Sequence, residues 1–417
     1  MDNMSIKLFE ISLGIQSPLF IERVELNEGD AGKELHVFLD FEKGARFLCP
    51  KCGAENCIVC DTQEKIWRHV NFFQYKCFLH LRTPIVRCEC GRHIYRPFWE
   101  RDGGSAFTVL FEAFVIELIG GGMTFLAAEK ILGEYDNRLF RIVSHYVEKA
   151  YAAKDFSEIN SISIDETSSK TGHNYVTVVS SHEKGEVIFV TEGKGKETVA
   201  EFIGELPKHG ADAGQILEAT MDMSGAYIAA VTEFMPWTDI TFDRFHVQKL
   251  LNESVDKIRR EESKEDKELK QLLKNSRYLW LKNPNSLTAK QTVKIGELEK
   301  CNLKTAEAYR LKLLFQDIYN CADSPEEAAG LLANWGTLAL STGLKPLEQF
   351  VNTLQNHAEG VLNYFKNKRT SGISEGLNSV IQSIKRQARG FHNMHNFCIM
   401  IYLRLAKLGL YRFLGYP

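Results

Sequence analysis

Seven of the ten cysteines in this chain lie in one short stretch, between Cys49 and Cys90. The first residues, 1–10, carry no basic segment followed by an apolar run, so a cytoplasmic protein is expected rather than a secreted one. In a reducing compartment, clustered cysteines bind metal more often than they form disulfides. The stretch therefore predicts a small domain whose fold depends on a metal ion.

Two cysteine pairs within this stretch are typical of zinc knuckles. Cys49-Pro-Lys-Cys52 is followed by glycine, and two thiolates three residues apart on a tight turn can reach one ion. Cys88-Glu-Cys90 is also followed by glycine and comes after a hairpin-like stretch, 67–86. We predict a zinc ribbon in which Cys49, Cys52, Cys88 and Cys90 hold one structural zinc ion.

The remaining cysteines leave alternatives open. Cys57 with Cys60 could supply the second pair, although only four residues would then separate it from Cys52. A second metal site that uses Cys57, Cys60, Cys77 or His93 is also possible from the sequence. Upstream, alternating apolar residues over 6–13 and 34–41 predict short strands. Residues 1–100 are therefore predicted to form an N-terminal domain of strands and a zinc site.

The chain of 417 residues is too long for one ordinary core, so several domains are expected. Its net charge of −3 does not indicate a nucleic-acid-binding protein, so any DNA-binding surface must be a local basic patch. The most apolar stretch, 107–128, is interrupted by Glu112, Glu117 and glycines. This pattern predicts a buried helix and a turn, and no interaction with a membrane.

Residues 105–155 have a helical pattern that includes a candidate DNA-binding motif. Thr124 can cap a short helix, which is followed by a glycine-containing turn and a second helix over 137–149. Arg138 and Arg141 lie on the polar side of that second helix. A short helix, a tight turn and a basic helix suit a helix-turn-helix that reads the major groove. A generic helical connector is the alternative.

Strands and helices alternate over 160–250 in the order β-β-β-α-β-α-β, which predicts a mixed α/β domain. Asp165 ends one predicted strand and Asp222 directly follows another. Ends of neighbouring strands can bring carboxylates together, and paired carboxylates bind magnesium, a hard cation that prefers oxygen. The alternative for each acid is a turn or a helix cap. Asp243 also follows a strand and is the main competitor of Asp222.

Residues 251–360 are helical in pattern and predict a helical insertion in the α/β domain, which would resume over 361–417. The helix predicted over 373–389 has an apolar face and, opposite it, a polar stripe. This stripe consists of Glu375, Asn378, Gln382, Lys385 and Arg389. Its acid could hold metal, while its last three members could contact DNA phosphates. The alternative is an ordinary solvated helix face.

Taken together, these residues resemble, from end to end, the ISL-three family of bacterial insertion-sequence transposases. The matching stretches are Cys49-Pro-Lys-Cys52-Gly, Ile164-Asp-Glu-Thr167, Met221-Asp-Met-Ser-Gly-Ala-Tyr227, Phe242-Asp-Arg-Phe-His246-Val, and Glu375-Gly-Leu-Asn378 with Ile384-Lys-Arg386. One departure is Gly225, where many relatives carry proline after the serine. The resemblance implies a multidomain protein with a zinc-binding domain, a helix-turn-helix and an RNase H-like catalytic domain that bears an acidic triad.

The resemblance places this triad on Asp165, Asp222 and Glu375, and it marks Asp243 and His246 as an accessory Asp-x-x-His pair. It implies that the triad holds two magnesium (or manganese) ions. Water then cleaves double-stranded DNA at the terminal inverted repeats of the element, and the freed 3′ hydroxyl attacks target DNA. A homodimer is expected in the active complex, and the resemblance implies a protein that associates with the bacterial nucleoid. For His246, a helix cap or a core position is the structural alternative.

Two other classes of protein remain alternatives. One is a non-catalytic, sequence-specific DNA-binding regulator derived from a transposase, and the other is an RNase H-like nuclease without strand transfer. The presence of all three acids favours a transposase over the regulator.

Overall fold

The computed structural model describes residues 3–29, 32–170, 174–367, 372–388, 391 and 393–414. The chain divides into two compact units, Met1–Lys154 with Tyr402–Pro417, and Asp155–Ile401. Within the described ranges, no helix combines the length and the apolar character that crossing a membrane requires.

The first unit begins with a helix, α1 (Asn3–Leu13), where the sequence predicted a strand over 6–13. That prediction was wrong. Ile6, Phe9 and Leu13 all pack against the core of the following sheet. Their spacing of three and four residues matches one face of a helix, whereas a strand would direct Ile6 and Phe9 to opposite sides.

The rest of the N-terminal region is one sheet of six strands. These are β1 (Leu19–Gly29), β2 (Gly32–Phe41), β3 (Arg46–Phe47), β4 (Cys57–Phe72), β5 (Tyr75–Cys88) and β6 (Gly91–Ile94). The order across the sheet is β1-β2-β5-β4-β3, and β6 pairs with β5. Strands β4 and β5 form a long antiparallel hairpin. Val37, Trp67 and Leu79 lie at the centre of the core, each at most 1% exposed.

Three helices follow in the same unit: α2 (Val109–Gly120), α3 (Phe125–Leu132) and α4 (Asp136–Ala152). The Thr124 side chain caps α3 by accepting a hydrogen bond from the Ala127 amide. Gly133 ends the helix in the left-handed region, with φ +67°, which favours glycine. The structure thus contains the short helix, the tight turn and the longer second helix that the sequence predicted.

The C-terminal residues belong to this first unit as well. The sequence predicted that residues 361–417 belong to the catalytic domain, whereas Tyr402–Pro417 group with the N-terminal region in the structure. The rings of Tyr402 and Tyr151 lie 4.4 Å apart, and the Lys149 ammonium lies over the Phe413 ring. These contacts join residues that are far apart in sequence, and residue spacing alone does not predict them.

The second unit contains a five-stranded mixed sheet. Its strands are β7 (Ser161–Lys170), β8 (Asn174–Ser181), β9 (Glu186–Glu192), β10 (Glu218–Met221) and β11 (Asp239–Phe242). The order across the sheet is β11-β10-β7-β8-β9. β8 is antiparallel to β7 and β9, while β10 is parallel to β7 and β11. Helix α5 (Lys196–Glu205) precedes β10, and α6 (Gly225–Phe234) joins β10 to β11.

Beyond β11 the second unit is helical. The helices are α7 (Arg244–Glu262), α8 (Lys267–Leu272), α9 (Arg277–Leu281), α10 (Ala289–Leu298), α11 (Lys304–Cys321), α12 (Pro325–Ser341), α13 (Lys345–Asn356), α14 (Ala358–Asn367), α15 (Gly372–Gln387) and α16 (Met394–Leu405), of which the last belongs to this unit only up to Ile401. The described part of 243–371 contains no strand. Buried aromatic residues such as Phe315, Trp335 and Phe350 pack α11, α12 and α13 together. Helix α14 returns to the sheet, where the Asn363 amide donates to the Ile240 carbonyl at 2.8 Å.

Candidate active site

Four cysteines meet at the open end of the β4–β5 hairpin. The Sγ atoms of Cys49 and Cys90 lie 3.6 Å apart, those of Cys52 and Cys88 3.4 Å, and those of Cys52 and Cys90 3.5 Å. In a tetrahedral site with zinc–sulfur bonds of about 2.3 Å, the sulfurs lie about 3.8 Å apart. The four thiols therefore fit a zinc ion in both number and spacing.

The other cysteines of the segment are not members of this cluster, although the Cys57 thiol lies beside Cys88. The Cys57 thiol faces the Ala54 carbonyl at 3.4 Å, and the Cys60 thiol faces the Ile85 carbonyl at 3.3 Å. Cys77 is buried in the sheet, and this burial raises the pKa of its thiol to about 12. Among the described His, Cys, Asp and Glu residues, only Cys49, Cys52, Cys88 and Cys90 bring three or more ligand atoms within 4.8 Å of one another.

His93 lies beside the four-cysteine cluster. Its Nε2 atom is 3.3 Å from Cys90 Sγ, so the ring can donate a hydrogen bond to that sulfur. Such a contact orients a metal ligand and makes its negative charge more stable. His93 is thus placed to support the cluster and not to form a second one.

In the second unit, three aspartates lie at one level of three neighbouring strands. The last paired residue of β10 lies opposite Ile164 on β7 and opposite Phe242 on β11. That residue is Met221, which Asp222 follows directly. Asp165 follows Ile164, and Asp243 follows Phe242. Because β10 is parallel to both neighbours, the three acids occupy the same edge of the sheet.

Asp222 and Asp243 also have ordinary local roles. One Asp222 oxygen accepts from the Ser224 amide at 3.0 Å, in the turn before α6. One Asp243 oxygen accepts from the Phe245 amide at 2.9 Å and caps α7. Each of these hydrogen bonds uses one acceptor position of a carboxylate that has several, so these contacts do not exclude a metal.

His246 lies between these two acids in the first turn of α7. Its Nδ1 atom is 3.9 Å from Asp222 Oδ2, and its Nε2 atom is 3.8 Å from Asp243 Oδ2. The His246 side chain is 33% exposed, and the cap of α7 is Asp243. His246 is therefore neither a core residue nor the helix cap, and its ring lies within 4 Å of an oxygen of each aspartate.

Asp165 is held by hydrogen bonds to both of its oxygens. Oδ1 accepts from the Glu166 amide at 2.7 Å, and Oδ2 accepts from the Asn378 side-chain amide. Burial raises the pKa of Asp165, and the negative charge of Asp222 raises it further, whereas both hydrogen bonds and His246 act in the opposite direction. A cation near this carboxylate would favour its ionised form.

Helix α15 places the predicted polar stripe along β7. Glu375 lies in the first turn of α15, but its side chain lies outside the described residues, as does all of Arg389. Gln382 donates to the Thr167 hydroxyl, and the Lys385 ammonium donates to Ser168 Oγ at 2.9 Å.

The sequence predicted phosphate contacts for Gln382 and Lys385, whereas the structure directs both side chains to hydroxyl groups of β7. The signal that could have found this is in β7 itself. Its second half, from Asp165 to Ser168, is polar although the strand is central in the sheet, so its side chains need polar partners.

In the first unit, Arg138 and Arg141 differ in their surroundings. Arg138 forms an ion pair with Glu134, and its guanidinium lies 4.5 Å from the centre of the Phe107 ring. Arg141, nearly one turn further along α4, is exposed. Of the two predicted DNA contacts, Arg141 is the freer side chain.

Sequence reasoning missed Arg68, which is only 2% exposed. Arg68 Nη2 donates to the Leu132 carbonyl at 2.8 Å, and Nε lies 3.4 Å from the Glu134 carboxylate. An arginine on β4 thus joins the hairpin to the end of α3 and to the turn before α4. A lone arginine in a strand gives no sequence signal for this contact.

Comparison with known proteins puts the chain in the class of DNA transposases. A transposase family model of the ISL3 (ISL-three) type matches residues 162–401, and a model described as the zinc-finger of transposase IS204/IS1001/IS1096/IS1165 matches residues 45–91. The chain belongs to the ISL3 family of transposases, which confirms the resemblance seen in its sequence. The second match includes all four clustered cysteines, which supports a structural zinc ion.

Two full-length relatives agree with this family. The transposase for insertion sequence element IS1001 of Bordetella parapertussis is 28% identical, over 95% of this chain and 97% of the relative. The transposase for insertion sequence element IS1557 of Mycobacterium tuberculosis is 24% identical, over 96% of each chain. The similarity therefore includes both units of the fold.

Proposed function

We propose that this protein is a DDE transposase that binds the terminal inverted repeats of an insertion sequence, cleaves the DNA strands there and joins them to target DNA. The observation that carries this proposal is the alignment of Asp165 and Asp222 on neighbouring parallel strands. Helix α15, which bears Glu375, is hydrogen-bonded to the strand that bears Asp165. The third acid is thus carried by an element that contacts the first.

The strand order supports an RNase H-like catalytic domain. The first strand, β7, lies at the centre of the sheet, with two antiparallel strands on one side and two parallel strands on the other. Asp165 therefore lies on the strand at which the parallel and the antiparallel halves of the sheet meet. The helices from α7 to α14 then act as the insertion that separates Asp222 from Glu375 in sequence.

Asp222 is proposed as the second acid in preference to Asp243. Neighbouring strands lie about 4.8 Å apart, so Asp222 is one strand spacing from Asp165, whereas Asp243 is two, or about 9.6 Å. Two metal ions that act together lie about 3.5–4 Å apart, a distance that ligands on adjacent strands can span. Asp243 and His246 would support Asp222 from the far side.

The donor set fits magnesium or manganese, because carboxylate oxygens are the ligands that hard cations prefer. Asp165, Asp222 and Glu375 would hold two such ions. When bound, these ions stabilise the attacking and leaving oxygens of a phosphodiester. The protein supplies orientation: the Glu166 amide and Asn378 fix the Asp165 carboxylate, and His246 lies between the other two aspartates.

Recognition of the element ends is assigned to the first unit, with α3 and α4 as a helix-turn-helix. The partner is double-stranded DNA, both the inverted repeats and the target. The active complex is proposed to be a homodimer, because moving an element requires chemistry at two ends.

The recognition proposal predicts that Arg141→Ala weakens binding to element ends by about 1–3 kcal/mol, or about 5- to 150-fold, if Arg141 contacts a base edge. Arg138→Ala should also weaken binding, partly because it breaks the ion pair with Glu134. Lys149→Ala, an exposed change in the last turn of α4, is the matched control. Titrations of labelled end DNA and random DNA measure the effect. If affinity falls equally for end DNA and random DNA, these arginines contact only phosphates, which would contradict the proposal that α4 is a recognition helix.

A further inference from the structure

We propose that Asn378 is a positioning residue for Asp165, and that Asn378, Gln382 and Lys385 together fix where helix α15 lies along strand β7. This inference rests on the proposed function, because it concerns the geometry of the proposed metal site.

The first argument is how Asp165 is held. Each carboxylate oxygen has two acceptor positions, and each oxygen of Asp165 uses one of them. Oδ1 accepts from the backbone amide of Glu166, which belongs to the same strand. Oδ2 accepts from Asn378, which belongs to a helix far away in sequence. The carboxylate therefore cannot rotate freely, yet with respect to the described residues each oxygen keeps one lone pair for a cation.

The second argument is the matched spacing of the three contacts. From Asn378 to Gln382 the helix rises about 6 Å, and from Asp165 to Thr167 the strand advances about 6.6 Å. The next contact, from Lys385 to Ser168, continues in the same direction. A shift of α15 by one residue along β7 would break these contacts, so the polar stripe determines the register between helix and strand.

The apolar face of α15 does not determine that register. Ile381 and Ile384 are buried, at 0% and 3% exposure, and hold the helix in the core. Apolar contacts are non-directional, so alone they would tolerate a small slide. Glu375 lies three residues before Asn378, about 4.5 Å along the helix axis. The register therefore also determines the level at which the backbone of Glu375 meets the strand of Asp165.

The test measures Mn²⁺ binding to the full-length protein by calorimetry in the absence of DNA, so that it does not depend on activity. Asn378→Ala and Asn378→Leu both remove the donor, and leucine nearly preserves the volume. Loss of a group that orients a metal ligand typically weakens metal binding about 10- to 100-fold, and we expect this increase in Kd for both variants. Ser379→Ala, an exposed neighbour on the same helix, should bind as the wild type does.

The outcomes separate this inference from the proposed function. If Asp165→Ala binds Mn²⁺ as tightly as the wild type, the proposed metal site itself is wrong. If Asp165→Ala loses binding while both Asn378 variants keep wild-type affinity, the site stands and Asn378 does not position it. Thermal unfolding of each variant shows whether it is folded, and Asn378→Leu decides the question if the alanine variant is not.

The register is tested by the double variant Gln382→Leu with Lys385→Ala. Asp165 keeps its donor in this variant, so Mn²⁺ affinity should fall less than in Asn378→Ala. Hydrogen exchange of the α15 amides should become faster because two of the three polar contacts are lost. If amide hydrogen exchange and Mn²⁺ affinity both equal those of the wild type, the polar stripe does not determine the register.

Discussion

Replacing Asp165 with asparagine will abolish magnesium-dependent strand cleavage while leaving binding to the element ends intact. Asparagine keeps the shape of the side chain but removes the negative charge that a hard cation requires. Metal ions contribute several kcal/mol to such reactions, and about 4 kcal/mol corresponds to a thousand-fold loss of rate. We expect Asp222→Asn to reduce cleavage by at least about the same factor. Cleavage of labelled end DNA and gel-shift titration of the same DNA measure the two properties separately.

Asp239→Asn is the matched control for these variants. Asp239 begins β11, the strand that Asp243 follows, but it is exposed at the opposite end of the strand. Its replacement should leave cleavage unchanged. Asp243→Asn should slow cleavage less than Asp222→Asn does, because Asp243 lies one strand further from Asp165. If Asp222→Asn cuts DNA and Asp243→Asn does not, the second acid has been assigned to the wrong strand.

The same assays distinguish the proposed transposase from its alternatives. A protein that binds the ends specifically but never cleaves them, even with magnesium or manganese, would be a DNA-binding regulator. A protein that cleaves the ends but does not join pre-cut ends to target DNA would be a nuclease.

The second large effect is expected from Cys49→Ser, which should lose the zinc ion and unfold the cysteine-rich end of the first unit. Structural zinc contributes about 10–16 kcal/mol of apparent binding free energy in small zinc domains, which is comparable to the whole stability of a typical domain. The four thiols join the cysteine-rich loop before β4 to the turn between β5 and β6. Zinc analysis by atomic emission and thermal unfolding of the full-length protein measure the two losses.

Cys60→Ser is the control for this experiment. Cys60 lies on the same hairpin, but its thiol contacts the Ile85 carbonyl and not the other cysteines. This variant should retain one zinc ion per chain and the unfolding temperature of the wild type. A Cys49→Ser protein that retains its zinc, or that is as stable as the wild type without it, would contradict the assignment.

The features that could be predicted from the sequence are those that depend on the spacing of residues close together in the chain. The two knuckles, the strands that lead to Asp165 and Asp222, the cap at Thr124 and the turn at Gly133 all depend on residues within a few positions of each other. The α1 segment was misjudged because a short apolar pattern can fit either a strand or a helix until its packing partner is known.

What the sequence could not predict is which surfaces face each other. The stripe on α15 was correctly recognised as polar, but its partner, β7, lies more than 200 residues earlier in the chain. The surroundings of Arg138 could not be predicted for the same reason. Its contact with the Phe107 ring and the position of the buried Arg68–Glu134 pair depend on tertiary packing. In both cases the pattern identified a face of a helix but not the residues opposite it.

Asp165 and Asp222 are proposed to form one metal site at the edge of the second sheet. The most direct test is an anomalous difference map from crystals soaked in Mn²⁺. The proposed site predicts a peak in contact with carboxylate oxygens of both Asp165 and Asp222. A peak that joins Asp222 to Asp243 without Asp165, or no peak at this edge at saturating Mn²⁺, would contradict it.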